Sequence, residues 1–192
     1  SLDERFIEEN VRALQETGAA ATGGPIRATG RTETGRAIAA ALSHPFGVGD
    51  ARFRFSEAEG DVDTIAFAAY RRECFGALGG FEVDRDKGED DHFNYLVRRA
   101  GGRLHLTPRV RSTYFSRSTY RALANQYWGY GKAKGRAMVD EPGSIRMRHR
   151  IPLAVVAIGV GLIAASPFVR VARVVLTVCF AVYGGLAAYA AR

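Results

Sequence analysis

The chain is 192 residues long, 47% hydrophobic and +7 in net charge, enough for one domain and a small appendage. Its two cysteines, Cys74 and Cys179, exclude a disulfide framework and suit a reducing cytoplasmic compartment. His44, His92, His105 and His149 are too scattered for a zinc site.

The charge is divided along the chain. Residues 1–91 hold 11 Lys or Arg against 18 Asp or Glu, and residues 92–150 hold 13 against 2. The remaining stretch has three arginines and no acid. A basic block beside an acidic one predicts an anionic partner near the second half, with nucleic acid, anionic lipid or a sugar-nucleotide pyrophosphate all admissible. Because the first residue is Ser rather than Met, the chain is expected to be a piece of a longer protein.

Phe6, Ile7, Val11 and Leu14 recur at helical spacing before Gly18, which predicts a helix over residues 4–17. A Gly23-Gly24-Pro25 turn follows, then a short extended segment over residues 26–29. Residues 34–42 are Ala-rich and helical, stopping at Ser43-His44-Pro45, where proline disfavours further helix. Phe46-Gly47-Val48-Gly49-Asp50-Ala51-Arg52-Phe53-Arg54 reads as a glycine-punctuated loop, either the flexible lining of a site or an ordinary surface connection. No G-x-G-x-x-G occurs, so a dinucleotide fold has no support. Residues 62–67 predict a strand and residues 71–78 a short helix closed by Gly79-Gly80.

Lys87-Gly88-Glu89-Asp90-Asp91-His92 then leads into Phe93, Leu96, Val97 and Ala100, again at helical spacing, with Gly101 as the stop. Three adjacent carboxylates thus stand where a loop enters a helix, and the first-turn amides favour negative charge there. They either cap the helix or supply a general base, since packed like charges raise the proton affinity of one of them. Arg103-Leu104-His105-Leu106-Thr107 alternates as a half-buried strand ended by Pro108. Strands alternating with helices indicate an α/β layer architecture.

A further helix is predicted over residues 118–138, with Ser118 as N-cap. Its middle, Gln126-Tyr127-Trp128-Gly129-Tyr130-Gly131-Lys132-Ala133-Lys134-Gly135-Arg136, mixes aromatics, glycines and cations. It fits both a segment gating a site and an amphipathic helix lying on a membrane. Each of its glycines weakens it by roughly 1 kcal/mol relative to alanine. Residues 151–169 carry no charge, and residues 174–191 form a second apolar run beyond Arg170 and Arg173. A pair of short membrane-spanning helices is expected, with a re-entrant hairpin as the alternative. Arg146, Arg148 and Arg150 before the first run keep the preceding part cytoplasmic, at the cell inner membrane.

The order of Val62-Asp63-Thr64-Ile65-Ala66-Phe67, Ala69-Tyr70-Arg71-Arg72-Glu73-Cys74-Phe75, Leu78-Gly79-Gly80-Phe81 and Gly88-Glu89-Asp90 resembles the second half of the catalytic domain of inverting family 2 glycosyltransferases. The likeness is greatest to the succinoglycan-type exopolysaccharide enzymes and reaches from about Phe6 to Arg150. It implies the distal half of a GT-A fold, with residues 1–115 a partial catalytic domain, 116–150 a basic interface helix and linker, and 151–192 membrane helices. In that family the matching aspartate, here Asp90, activates the acceptor hydroxyl, with Glu89 and Asp91 binding acceptor or tuning the base. Gln126 and Tyr130 match a Q-Y-x-R-Y-G run, but Gly129 stands in place of the arginine, so Lys132, Lys134 or Arg136 is expected to carry its charge. Trp128 and Tyr130 would stack on a sugar ring or pack a lipid-linked acceptor.

The resemblance also implies a divalent metal, Mg or Mn, held by a D-x-D motif upstream of Phe6 and so missing here. Asp61-Val62-Asp63 and Asp84-Arg85-Asp86 have the spacing but not the position, and both read as loop acids. The implied partners are a nucleotide-sugar donor, a polyprenyl-linked saccharide acceptor and the membrane. A membrane-anchored adaptor gripping anionic lipid through residues 92–150 is the rival reading. Nucleic acid is not expected, because no reader motif is present.

Overall fold

The structure is a computed structural model that describes residues 1–85 and 87–190. It divides into two compact units, Ser1–Ser144 and Ile145–Arg192. In chain order the elements are α1 (Phe6–Thr17), β1 (Ala21–Gly23), β2 (Ile26–Thr29), α2 (Glu33–Leu42), α3 (Pro45–Val48), β3 (Gly60–Val62), β4 (Ala69–Tyr70) and α4 (Arg72–Leu78). They continue with α5 (Glu89–Arg99), β5 (Leu104–Leu106), β6 (Ser112–Phe115), α6 (Tyr120–Asp140), α7 (Met147–Ala165) and α8 (Arg170–Ala190). Single 3-10 turns lie at Arg52–Arg54 and Pro142–Ser144.

The first unit is a mixed α/β body around a four-stranded sheet of order β3-β5-β1-β4. β1 runs parallel to β5, with Ala21 opposite Leu104, and antiparallel to β4, with Ala21 opposite Tyr70. β2 and β6 form a separate parallel pair, Ile26 opposite Ser112 and Thr29 opposite Phe115. The core is Ala21, Ile65, Phe93, Val97 and Leu104, all but inaccessible to solvent, with Leu78, Cys74 and Leu96 packed against it. Phe93 and Val97 are four residues apart and so share the face of α5 that the sheet covers.

Several sequence expectations need correcting. The strand expected over residues 62–67 ends at Val62. Beyond it Phe67 takes a φ of 55°, which a strand cannot hold, while Thr64 and Ile65 are tied to Asn94. The glycine-punctuated stretch from Phe46 is not wholly loop. His44 Nδ1 accepts the Phe46 N–H at 3.1 Å, and Pro45, which cannot continue a helix, starts one instead. α6 is capped by Thr119, not Ser118, through a 3.2 Å bond from the Ala122 N–H to Thr119 Oγ1. β1, β4 and β6 were not anticipated, being two to four residues long and too short to show alternation.

In the second unit α7 and α8 pack together, and both are long and apolar enough to cross a membrane. At 1.5 Å per residue they measure about 28 and 32 Å, near the thickness of a bilayer core. The apolar run over residues 151–169 is not one helix. α7 starts earlier, at Met147, and ends at Ala165, and Arg170 and Arg173 stand in the first turn of α8 rather than between helices.

Candidate active site

α5 begins at Gly88, whose φ of 77° lies in the left-handed region that favours glycine. Glu89, Asp90 and Asp91 fill the first turn, with their charges at the positive end of the helix. What holds the helix in register is Asn94, which is fully buried. Its amide donates to Thr64 Oγ1 at 3.0 Å and to the Ile65 carbonyl at 2.8 Å. Its Oδ1 accepts from the Tyr70 hydroxyl at 2.8 Å. Tyr70 also joins an aromatic cluster in which the rings of Tyr70, Phe75 and Phe81 each lie about 5 Å from Phe93.

Asp90 precedes Phe93 and Asn94 by three and four residues, and so stands above them on the same face of α5. It is half-buried. Its Oδ1 accepts the Asp91 N–H at 2.8 Å, and among the described residues no cation pairs with it. Burial pushes its carboxyl above the usual carboxylate range, and the charges of Asp91 and Glu89 push the same way against that hydrogen bond. Tyr70 responds in kind, with burial first and then the Asp90 and Asp91 charges driving its phenol upward. The three acids therefore have three environments. Glu89 is exposed, Asp91 forms an ion pair with Lys134 of α6, and Asp90 is neither exposed nor paired.

α6 lies across this helix start because its inward residues are small or polar. Ala122, Gln126, Gly129, Ala133 and Ala137 repeat every three or four positions, and Gly88 faces Ala133. Gln126 is buried and fully engaged. Its amide donates to the hydroxyls of Tyr114 at 2.8 Å and Tyr130 at 2.9 Å, and its Oε1 accepts from Arg117 Nε at 3.2 Å. At the other end Glu141 Oε1 lies 2.6 Å from Arg85 Nη2 and 2.7 Å from His92 Nδ1, while Arg85 Nε donates to Glu82 at 2.7 Å. This network fastens the loop before α5 to the end of α6.

The expected site residues therefore separate. Gln126 and Tyr130 touch, and Asp91 reaches α6 through Lys134. Among the described residues no hydrogen bond or ion pair joins Asp90 to Gln126 or Tyr130. Trp128 is 73% exposed, and Lys132 is exposed on the outer side of the helix. Arg136 is held by Asp140 at 3.2 Å and Glu82 at 3.4 Å.

The residue that sequence reasoning missed is Lys87. It lies over Gly129, where a Cβ would fall 2.6 Å from its Nζ, and its Nζ sits 5.6 Å from the centre of the Tyr130 ring. The signal was a lysine just before the acids together with a glycine where an arginine was expected, but nothing in the chain paired them. Arg54 and Tyr114 were missed as well, because they come from a 3-10 turn and a strand too short to read.

Beside Tyr127 an open apolar groove of about 300 Å³ runs between α2 and α6, lined by Ile38, Leu42, Tyr120 and Leu123 among others. Of the two D-x-D pairs, Asp61 is committed to His105 at 3.1 Å and Arg103 at 3.3 Å, and Asp86 lies outside the described residues. Among the described residues no three His, Cys, Asp or Glu side chains gather to hold a metal ion.

No protein-family model matches the chain. Over 160 residues it is 26% identical to the succinoglycan biosynthesis protein ExoA of Rhizobium meliloti (strain 1021), a weak homology covering 83% of this chain and 48% of that protein. The chain thus spans about half the length of the curated relative it matches.

Proposed function

We propose that this chain is the acceptor-activating part of a membrane-associated inverting glycosyltransferase of exopolysaccharide synthesis, built as the distal half of a GT-A fold. The observation that carries this reading is Asp90, a half-buried carboxylate without a cation partner among the described residues, placed at a helix start between an exposed Glu89 and an ion-paired Asp91. A side chain that only capped α5 would gain from exposure or a cation. One kept apolar on one side and flanked by like charge has the raised proton affinity that a base needs. The weak homology to a succinoglycan biosynthesis protein supports the pathway.

In the proposed reaction the acceptor hydroxyl gives its proton to the Asp90 carboxylate as its oxygen bonds to the anomeric carbon. The bond from that carbon to the donor's diphosphate breaks on the opposite face, its electron pair leaves with the phosphate oxygen, and the anomeric configuration inverts. Glu89 binds the acceptor, and Asp91, held by Lys134, sets the proton affinity of Asp90. Trp128 and Tyr130 supply planar faces for the sugar, Gln126 fixes Tyr130, and Lys132 and Arg136 add positive charge beside the departing diphosphate. The apolar groove beside Tyr127 suits the lipid end of a polyprenyl-linked acceptor. A divalent ion, Mg or Mn, is proposed to be held outside the described residues, and no step here is assigned to it. With α7 and α8 in the cell inner membrane, the first unit is proposed to face the cytoplasm.

The exposed Trp128 and Lys132 also favour a second reading, an adaptor resting on anionic lipid, but that reading leaves Asp90 without a task. The deciding experiment is Asp90→Asn in membranes making the polymer. Incorporation of labelled sugar should fall by about a hundredfold or more while donor affinity holds. Near-normal turnover would remove Asp90 from the role of base.

A further inference from the structure

β3 is an edge strand of the four-stranded sheet and only three residues long, so its backbone pairing with β5 is a weak hold by itself. Side chains supply a second hold. Asp61 lies directly opposite His105 across the two strands, and Glu59, just before β3, reaches the same ring. His105 stands between the two acids with its side chain only 12% exposed. Its Nδ1 lies 3.1 Å from Asp61 Oδ1 and its Nε2 lies 3.2 Å from Glu59 Oε1.

Other charges gather around this trio. Arg103, just before β5, donates to Asp61 at 3.3 Å. Arg109, beyond β5, lies 3.7 Å from Glu59 and 2.6 Å from Glu16 of α1. Arg109 also feels Glu9 of α1, which Arg12 pairs at 3.4 Å. From the 3-10 turn Arg52 donates to the carbonyls of Asp61 at 3.2 Å and Ala58 at 2.8 Å. On its other side β5 meets β1, which sets the uncharged Thr22 opposite His105.

An ionised carboxylate accepts hydrogen bonds and cannot donate one, and a neutral imidazole has one N–H and one bare nitrogen. Both contacts of the ring are satisfied together only if it carries both protons or if one acid is protonated. Asp61 is not that acid. Burial pushes its carboxyl up, but the hydrogen bonds from His105 and Arg103 outweigh this and hold it below the usual carboxylate range. Glu59 Oε1 faces both the ring and Arg109, so that oxygen serves as an acceptor. The second proton therefore belongs to the ring.

We propose that His105, Glu59 and Asp61 form a proton-operated latch that fastens β3 and the turn before it to β5 while the ring is an imidazolium, and releases them when the second proton leaves. Without that proton one ring nitrogen meets a carboxylate lone pair to lone pair, and the two acids repel each other across it. The segment set loose runs back to Arg52, which binds it, and to Arg54, which lies 5.9 Å from the centre of the Tyr114 ring. Histidine ordinarily changes charge between about pH 5 and 8. The latch is closed at the acid end of that range and open at the alkaline end. Nothing in it depends on the transferase reading.

The test is hydrogen–deuterium exchange of the full chain in detergent, with residues 58–62 referred at each pH to Ala21–Gly23 of β1, so that the intrinsic pH dependence of exchange cancels. Between about pH 5 and 8 the relative protection of residues 58–62 should fall about tenfold in the parent. His105→Gln, which has no second proton to lose, should show the weakened protection throughout. Glu59→Gln puts an amide that can donate beside the bare ring nitrogen, and should keep β3 protected throughout. A histidine that only packed would not give these opposite results. Nitrogen-15 shifts of the His105 ring in the parent need no variant to fold, and should show two N–H groups at the acid end and one at the alkaline end. Protection of residues 58–62 that follows β1 at every pH would overturn the latch. So would a ring with a single N–H at the acid end, or a parent-like pH profile in either variant.

Discussion

Replacing Asn94 by alanine tests whether the base is positioned by the loop and strand that α5 rests on. Asn94 is fully buried and makes three hydrogen bonds, to Thr64, Ile65 and Tyr70. At about 1 kcal/mol net for each bond, and about 1 kcal/mol or more for leaving the Ile65 carbonyl and the Tyr70 hydroxyl unsatisfied, the cost is about 4 kcal/mol. For a chain of this size that corresponds to a fall in Tm of roughly 8 to 16 °C. Thermal unfolding of the full chain in detergent, followed by near-ultraviolet circular dichroism of the aromatic cluster, reads it directly. Tyr70→Phe should cost about 1 kcal/mol alone and lose most of that cost in the Asn94→Ala background, since the two side chains share one bond. A loss below about 1 kcal/mol for Asn94→Ala, or strict additivity with Tyr70→Phe, would refute the view that this amide anchors the helix.

The remaining predictions concern charge and the membrane. Asp91→Asn removes a like charge beside Asp90 and should move the acidic limb of the transfer rate to lower pH, while a limb that stays or moves upward would show that Asp90 does not titrate there. Asp90→Asn should raise stability, because the folded carboxyl titrates above its unfolded value. The gain should be full above the folded pKa, shrink as pH falls through it, and vanish below the unfolded one, as followed by unfolding at a series of pH values. Glu141→Gln removes one partner of the nearly buried Arg85 and should cost about 3 kcal/mol in chemical denaturation, with Glu141→Asp losing less. Arginine at both Val156 and Ile163 should release the protein from carbonate-washed membranes, each residue costing about 2.5 to 3.5 kcal/mol if it lies at the centre of a spanning helix.

What the sequence disclosed was whatever has a long period. α1 and α5 announce themselves through recurring apolar positions, α2 through its alanines and the two apolar helices through uncharged length, and the acids at Glu89, Asp90 and Asp91 are legible because Gly88 and Phe93 bracket a helix start. Short strands were not legible. Ala69–Tyr70 has no pattern to read, and its membership of the sheet is decided by Ala21 across from it. The strand expected through Phe67 failed because a buried asparagine 27 residues later captures that segment's polar groups and overrides its β-branched composition. The cations near Gln126 show the same limit. Composition marked residues 92–150 as basic, but only folding reveals that Lys134 and Arg136 are matched by acids while Lys87, from the acidic part of the chain, stands among the unmatched ones.

α6 is moored along its length, by Lys134 to Asp91 and by Arg136 to Glu82 as well as at its two ends. Gln126 moors it to Tyr114, and some four turns further on Glu141 moors it to Arg85, with Gly129 and Gly131 in the span that separates these anchors. A rod held so cannot swing aside as a lid would. The aromatic ring of Tyr130 and the acids at the start of α5 are thus held by one frame rather than by two.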